Sequence, residues 1–561
     1  MKKKRLLAML LSAVLMTGAL TGCGDTGGQT SSDGSSKTES SASASEAEGS
    51  EEDAEPSGAE APDVSEATDA EWDTSKEDTI TLCVINNFYT AGEKKLAEEY
   101  MKLHPETKVV VDVIADNDSY MTKMMTSMEG DRKNAPDIVH GNFLAAATTG
   151  NMEVAVSKGF VYDMTDMLDE ENPYNNGKVR DAFEEKDLQE AFDGSGGVCL
   201  GFLPFDRIGF ALYYNKTILD GLSLEAPTTW EQLVDVCGKL KEAGYNVPLS
   251  AGPETYRMIA TLSDAFYRGT MDTAAYLAQP GDAIWNEETM SANVDFAYDE
   301  SNPMCDKYLV RSTERQLKYK TENSYDNETN RQILDTFYQV AQYFPDNWIA
   351  ADSTQAITDF ESQISPLLYQ ASFNAGLILS DTNALPDDMK FEWATTQIER
   401  FENPPEGAGE QLRGLWALGN AMSIVGTEDA DHLARIKDFY KFWYSKDGAK
   451  MCFEETLNNG NFVQGPCIIK GVTLDPELEQ LLAGFETVSC AGFEGFLGIG
   501  ETYRSADKPL YYDYMNKFCK GEITSAEYLQ GVDPLCKNYV QDMIETGGFD
   551  LDPTTPDEPK E

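Results

Sequence analysis

The residues of this chain that could carry out chemistry are plentiful in one kind and scarce in the others. Of 561 residues, 97 are Asp or Glu against 44 Lys or Arg, whereas histidine occurs only at His104, His140 and His432. Paired carboxylates can hydrolyse glycosidic bonds, but at this abundance no single pair is informative. Three histidines give little material for a Ser-His-Asp relay or a histidine-rich metal site. No G-x-S-x-G, no phosphate-binding glycine loop and no zinc-ligand spacing occurs. The acidic loop "ADNDSY" leaves calcium open, although no EF-hand-type loop is present. Setting Cys23 aside from the 10 cysteines leaves nine, an odd number with no C-x-x-C pair. Cys83, Cys237, Cys452 and Cys519 lie inside apolar runs and read as small buried thiols rather than as a disulfide framework. The formal net charge of -53 argues against nucleic acid, whose phosphates it would repel, and against broad contact with anionic lipid. Nothing in this inventory calls for a cofactor.

Cys23 stands apart. Lys2, Lys3, Lys4 and Arg5 precede an apolar run from Leu6 to Leu20, shorter than the ~20 residues of a membrane-spanning helix. The junction Leu20-Thr21-Gly22-Cys23 resembles a bacterial lipobox. That resemblance implies removal of a signal peptide, residues 1–22, and a diacylglyceryl group on the Cys23 sulfur. Acyl methylenes are worth about 0.8 kcal/mol each when buried in lipid, so such chains hold a protein at a surface. From residue 23 to 77 the sequence is mainly Ser, Gly, Ala, Glu and Asp. It offers too little apolar surface to offset ordering entropy, so a disordered tether is expected. No later apolar run spans a membrane, which leaves the lipid as the expected attachment.

The elements that must position a site begin near Asp78. "TITLCVIN", "KVVVDVIA" and "APDIVHGN" read as strands, and "EKKLAEEYMKLHP" and Met121 to Glu129 as the helices between them. Strands alternating with helices imply a mainly parallel sheet, with ligands beyond the carboxyl ends of its strands. A second unit opens with the strand "IGFALYYNKTIL". The helix "PTTWEQLVDVCGKLKEAGY" follows, with Thr228 and Glu231 in a capping-box pattern and Gly244 as its stop. The stretch 263–352 reads as mostly helical, with "KYKTENSYDNETNRQ" as a solvated surface. "LWALGNAMSIVG" is strand-like, and "DHLARIKDFYKFWYSKDGAKMCFEE" reads as one long amphipathic helix.

In that order the motifs resemble the family 1 extracellular solute-binding proteins of ABC transporters, the maltose-binding-protein-like group. "APDIV" is similar to the family's third strand, and "YMKLHPETKV" to the segment before its second. "ALYYNKTILDGLSLEAPTTWEQLVDVCGKLKEAG" resembles the family most specifically, and "ARIKDFYKFWYSKDGAKMCFEETLNNGNFVQG" resembles its late helical segment. The resemblance spans about residues 78 to 550. It implies an α/β, two-lobe, type II periplasmic-binding-protein-like fold with a ligand cleft between the lobes. Carried over by order, lobe 1 is 78–200 with 417–480, lobe 2 is 201–416 with 481–550, and 551–561 is a polar tail.

The same resemblance implies where ligand contacts fall. Asn87 and Phe88 follow the first strand and Asn142 and Phe143 the third, although a helix-capping loop accounts for the former pair equally. Glu254 and Tyr256 lie in "GPETYR", with core packing as the other reading of Tyr256. Phe373 stands in "QASFNAG", where the family usually carries a stacking Trp. Arg207 reads either as a ligand contact or as half of a structural ion pair, and Trp416 either as a cleft wall or as core. Asn461 and Phe462 are weaker candidates. Aromatic platforms beside fixed hydrogen-bonding groups suit sugars, which present flat C–H faces and rings of hydroxyls. The expectation is a monomeric, lipid-anchored receptor on the outer face of a bacterial cell membrane, handing a carbohydrate to permease subunits without catalysis. A receptor for a peptide, a polyamine or another small metabolite is the alternative within the binding class. A surface glycan-degrading enzyme and an adhesion or sensor module are the alternatives outside it.

Overall fold

The computed structural model describes residues 71–552 except 87, 131, 196–198, 269–311, 347, 352, 415, 486–502 and 548–550, and also 554–555. Cys23 and Asn87 therefore lie outside the described residues, as do the signal and most of the tether. No helix among the described residues is long and apolar enough to cross a membrane.

Two sheets organise the chain. The first has the order β11-β3-β1-β2, where β1 is Asp78–Ile85, β2 Thr107–Ile114, β3 Ile138–His140 and β11 Met422–Ile424. β1 pairs in parallel with β2 and with β3, while β11 runs antiparallel to β3. β1 is almost continuously buried from Leu82 to Ile85 because helices cover both faces. Two helices expected as one, Ala430–Trp443 and Lys446–Asn458, pack here. They separate because the Ser445 side chain caps the second, accepting from Gly448 N. The acidic loop "ADNDSY" is likewise a cap: Asp116 accepts from Ser119 N at 2.7 Å and opens the helix Asn117–Ser127.

The small hairpin of β4, Glu171–Asn172, and β5, Gly177–Lys178, packs on the helix Ala430–Trp443, with Asn172 Nδ2 donating to Lys441 O at 3.0 Å. The second sheet runs β10-β6-β8-β7, with β9 also on β6. Its strands are β6 Arg207–Asn215, β7 Leu249–Ser250, β8 Leu367–Ala371, β9 Trp393–Thr396 and β10 Trp416–Leu418. β6 is antiparallel to β8, β9 and β10, and β7 is parallel to β8. Alternation along β6 serves two cores. Ala211 and Tyr213 join the apolar cluster of the first sheet, and Phe210 and Leu212 join a second cluster with the helices Trp230–Glu242 and Arg257–Tyr267. The helix at Trp230 starts one residue later than its sequence pattern suggests. Thr229 is its cap, and Glu231 instead accepts from the backbone of Glu402 and Asn403. Gly244 ends that helix region at φ +104°, as its position implied. "KYKTENSYDNETNRQ" is not a purely solvated surface: Tyr325 and Asn330 are buried, and Asn330 accepts from the Tyr267 hydroxyl at 2.8 Å.

"LWALGNAMSIVG" also divides. Its first half is β10 in the second sheet and its second half is β11 in the first, so residues 419–421 cross between the lobes.

Candidate functional site

Strand direction decides which side chains meet. In the first sheet β1 and β3 are parallel, so Phe88 and the pair Asn142 and Phe143 stand beyond the same edge. In the second sheet β7 and β8 are parallel and β6 opposes them. Glu254 and Tyr256 after β7, Phe373 after β8 and Arg207 at the start of β6 therefore share one end.

Three segments meet in this region, two of them crossings between the lobes. Residues 199–206 meet β11 where Leu203 bridges Met422, and Gly419 N donates to Asp206 O at 2.9 Å. The third segment, 461–467, follows the helix Lys446–Asn458 and runs along the joint before the chain returns to the first lobe, where Lys470 N donates to Ala182 O at 2.8 Å. Within 461–467, Phe462 bridges Phe88, Cys467 bridges Asp206, and Arg207 N donates to Pro466 O at 3.1 Å. Close approach demands glycine at 465, since a Cβ there would collide with the Arg207 carbonyl oxygen.

Both walls rest on this segment. From the first lobe, the half-buried ring of Phe88 meets Phe462 edge to face at 5.8 Å, Tyr89 N donates to Phe462 O at 3.1 Å, and Ala91 N donates to Asn461 Oδ1 at 2.9 Å. From the second lobe, the Ser372 hydroxyl donates to Gln464 O, and Phe373 beside it is half-buried. Asn461 and Phe462, weak candidates from sequence, are thus the ground on which Phe88 and the start of the helix that follows it stand.

The remaining candidates are placed as follows. Arg207 Nη2 donates to Asp187 Oδ1 at 2.5 Å, with Asp187 almost wholly buried. Glu254 accepts from the Ser353 hydroxyl, and its other oxygen, Oε2, is buried without a partner among the described residues. Tyr256 is only 9% exposed and belongs to the second apolar cluster. The Arg257 guanidinium lies 5.2 Å from its ring centre and 5.6 Å from that of Phe210. Asn142 is exposed on the helix Gly141–Thr148, while Phe143 packs edge to face on Tyr120 at 5.6 Å. His140 beside them is buried, which pushes its imidazole down to about 4 and keeps it neutral. Trp416 pairs through its backbone with Gly209.

Sequence reading missed the floor. Asp206 and Asn420 lie on the two crossings and Gln464 on the segment 461–467, and Tyr89 reaches them from the first lobe. The Tyr89 hydroxyl and the amides of Gln464 and Gly465 all donate to Asp206 Oδ2, and Asn420 N donates to Gln464 Oε1 at 2.7 Å. The available signal was the Gly419-Asn420 pair interrupting an apolar run.

No curated protein matches the chain. Among solved structures, it is similar to the apo form of RafE from Streptococcus pneumoniae. Identity is 14%, the match covers 82% of this chain and 98% of that one, and the TM-score is 0.51. It is also similar to a family 1 extracellular solute-binding protein from Bifidobacterium longum subsp. infantis, at 13% identity, 82% and 100% coverage and TM-score 0.47. A cyclic alpha-maltosyl-1,6-maltose binding protein from Arthrobacter globiformis matches at 12% identity, 83% and 100% coverage and TM-score 0.48. The RafE likeness shows the two-lobe, type II periplasmic-binding-protein-like fold. The model of the bacterial extracellular solute-binding protein family matches residues 89–450. The chain belongs to the bacterial extracellular solute-binding proteins.

Proposed function

We propose that the protein captures a sugar or oligosaccharide by closing its two lobes and delivers it to the permease of an ABC importer. One observation carries the reading: Phe88 from the first lobe and Ser372, next to Phe373, from the second abut the same segment, 461–467, with Arg207 and Glu254 at the adjoining end of the second sheet and Asp187 paired to Arg207 from the first lobe. Aromatic rings accept the C–H face of a pyranose, and a guanidinium or carboxylate pairs with vicinal hydroxyls. Closure buries such a ligand from both sides, so binding shifts the population toward the closed form. No chemical step is required. The lobes comprise 78–200 with 417–480 and 201–416 with 481–550. A diacylglyceryl-modified Cys23 tethers the loaded receptor and raises its effective concentration at the permease.

A cationic ligand, a polyamine or a peptide amine, is the second reading. It is favoured by Asp187 Oδ2 and Glu254 Oε2, buried carboxylate oxygens without partners among the described residues. Thermal-shift screening of the purified chain against oligosaccharides, peptides and polyamines separates the two. A melting-point rise with an oligosaccharide and no product formed supports the proposal. A rise with polyamines alone replaces the ligand class, and product release from a glycan replaces binding with hydrolysis.

A further inference from the structure

The lobes can change their angle only by turning the segments that join them, and in this chain two of those crossings and the segment 461–467, which runs along the joint, meet at one residue, Asp206. Asp206, at the end of the first crossing, is fully buried. Its Oδ2 accepts from Gln464 N at 2.8 Å and Gly465 N at 3.1 Å in the segment 461–467. Its backbone carbonyl accepts from Gly419 N at 2.9 Å on the second crossing. The Tyr89 hydroxyl, from the first lobe, completes the set.

The geometry around this carboxylate is under constraint. Tyr89 is held at φ 49° and Asn420 at φ 26°, both left-handed and unusual for residues with a side chain. A Cβ on Gly419 would collide with Asp206 Oδ1 and crowd Gln464 Oε1, so these two oxygens converge on the one residue that lacks a side chain. Hydrogen-bonding capacity is left over: Asp206 Oδ1 and both amide atoms of Asn420 are buried without partners among the described residues. A static core would fill such a point with apolar groups, because unpartnered buried polar atoms cost stability. A joint that repartners as it turns would retain them.

We propose that Asp206 is the positioning residue of the hinge, setting through Tyr89 and Gln464 the angle at which the lobes stand before ligand arrives. The inference rests on the cleft between the lobes being the solute site, and it adds how the width of that cleft is set. A strong carboxylate–phenol bond draws Tyr89, and with it the helix Thr90–Leu103, toward the crossings. Weakening it lets the first lobe swing.

The proposal has a signature that bulk stability lacks. Burial pushes the Asp206 carboxyl up to about 7, against the opposing pull of the Tyr89 hydroxyl and the Gln464 and Gly465 amides. The groups facing it are Tyr89 itself, Tyr444 at the end of the helix Ala430–Trp443, Cys452 of the next helix and Cys467 of the segment 461–467. Burial raises all four, so they stay neutral through neutral pH. Arg207, the next residue along the chain, is ion-paired to Asp187. Ionisation of Asp206 as pH rises through about 7 therefore strengthens its bonds to Tyr89 and to the Gln464 and Gly465 amides, since charge-assisted hydrogen bonds are the stronger kind.

The test uses the full chain without ligand, so its failure is independent of which solute binds. Small-angle scattering is recorded from pH 5.5 to 8.5 on the wild type, Asp206→Asn and Tyr89→Phe. Amide exchange across 461–467, corrected for intrinsic pH dependence, and melting points accompany it. The wild-type scattering profile is expected to change with a midpoint near pH 7, and Asp206→Asn to abolish that change. Tyr89→Phe keeps its ring in the core, so it is expected to open the lobes at both pH extremes with little loss of melting point. Exchange at Gln464 and Gly465 is expected to rise about tenfold in Asp206→Asn, the loss of one charge-assisted bond each. An identical pH response in wild type and Asp206→Asn overturns the proposal. So does a Tyr89→Phe variant that melts lower while its scattering matches the wild type.

Discussion

Removing the charge of His432 has a consequence that can be worked from the structure. His432 opens the helix Ala430–Trp443 and reaches back to the first sheet, with Nδ1 at 2.6 Å from Asp78 Oδ2 and Nε2 at 2.9 Å from Asp137 Oδ1. Asp78 starts β1, and Asp137 precedes β3 while accepting from Thr81 N at 2.7 Å. One imidazolium thus ties a helix to two strands. The Asp137 hydrogen bond is the largest cause that raises its pKa from 6.5 to about 9, with burial opposing and Asp78 assisting. That change corresponds to about 3 kcal/mol, reduced to about 2 kcal/mol by solvent screening at a side chain 18% exposed. The sign follows from linkage. Below pH 6.5 the ring is charged in both states and the native state holds the full stabilisation. Between 6.5 and about 9 the unfolded chain loses its proton first, so the advantage declines, and above about 9 it is gone. Urea denaturation of wild type and His432→Gln at about pH 6 and about pH 9.5 reads the effect as a difference, which cancels the response of the other carboxylates. The variant is expected to be about 2 kcal/mol less stable at the lower pH and close to wild type at the higher one. An equal difference at both values refutes the imidazolium bridge.

Other substitutions test the packing that frames the cleft. Gly465→Ala drives a methyl into the Arg207 carbonyl, so the variant should lose 3 kcal/mol or more (an order-of-magnitude figure for overpacking at a backbone contact), read by its melting point. Tyr256→Ala should cost about 3 kcal/mol of ligand-free stability, because the ring is buried in the second core; an unchanged melting point would return Tyr256 to the cleft surface. Trp72 is buried and donates to Glu106 at 3.0 Å, with Arg435 5.7 Å from its ring centre. Trp72→Ala should therefore speed proteolytic cleavage near residues 71–77 and lower stability by about 2 kcal/mol. Unchanged cleavage would show that Trp72 does not hold this segment to the first lobe.

Much of this architecture was legible because it is local. β1 to β3 announce themselves as apolar runs between helical patterns, and Gly244 marks a real helix end. The errors were local too. Thr229 rather than Thr228 caps its helix, and Ser445 cuts one amphipathic pattern into two. The hinge floor was illegible for a different reason. Asp206, Asn420 and Gln464 are far apart in sequence, and each alone is an ordinary polar residue beside a strand. Only the pairing of β10 with β6 and of β11 with β3, together with the bridges of Phe462 to Phe88 and of Cys467 to Asp206, brings them to one point. Arg207 shows the same limit, since its partner Asp187 belongs to another element and no spacing rule links them.

The most direct test of the cleft as a solute site is calorimetric titration of wild type and Phe373→Ala with the oligosaccharide that gives the largest thermal shift, with scattering recorded on the same samples. Phe373 is half-buried, so the substitution should leave the ligand-free melting point nearly unchanged. The expected result is saturable binding with a contraction of the wild type, and affinity reduced about tenfold or more in the variant, as for loss of one stacking platform. Equal affinity in both proteins, or binding without contraction, would contradict it.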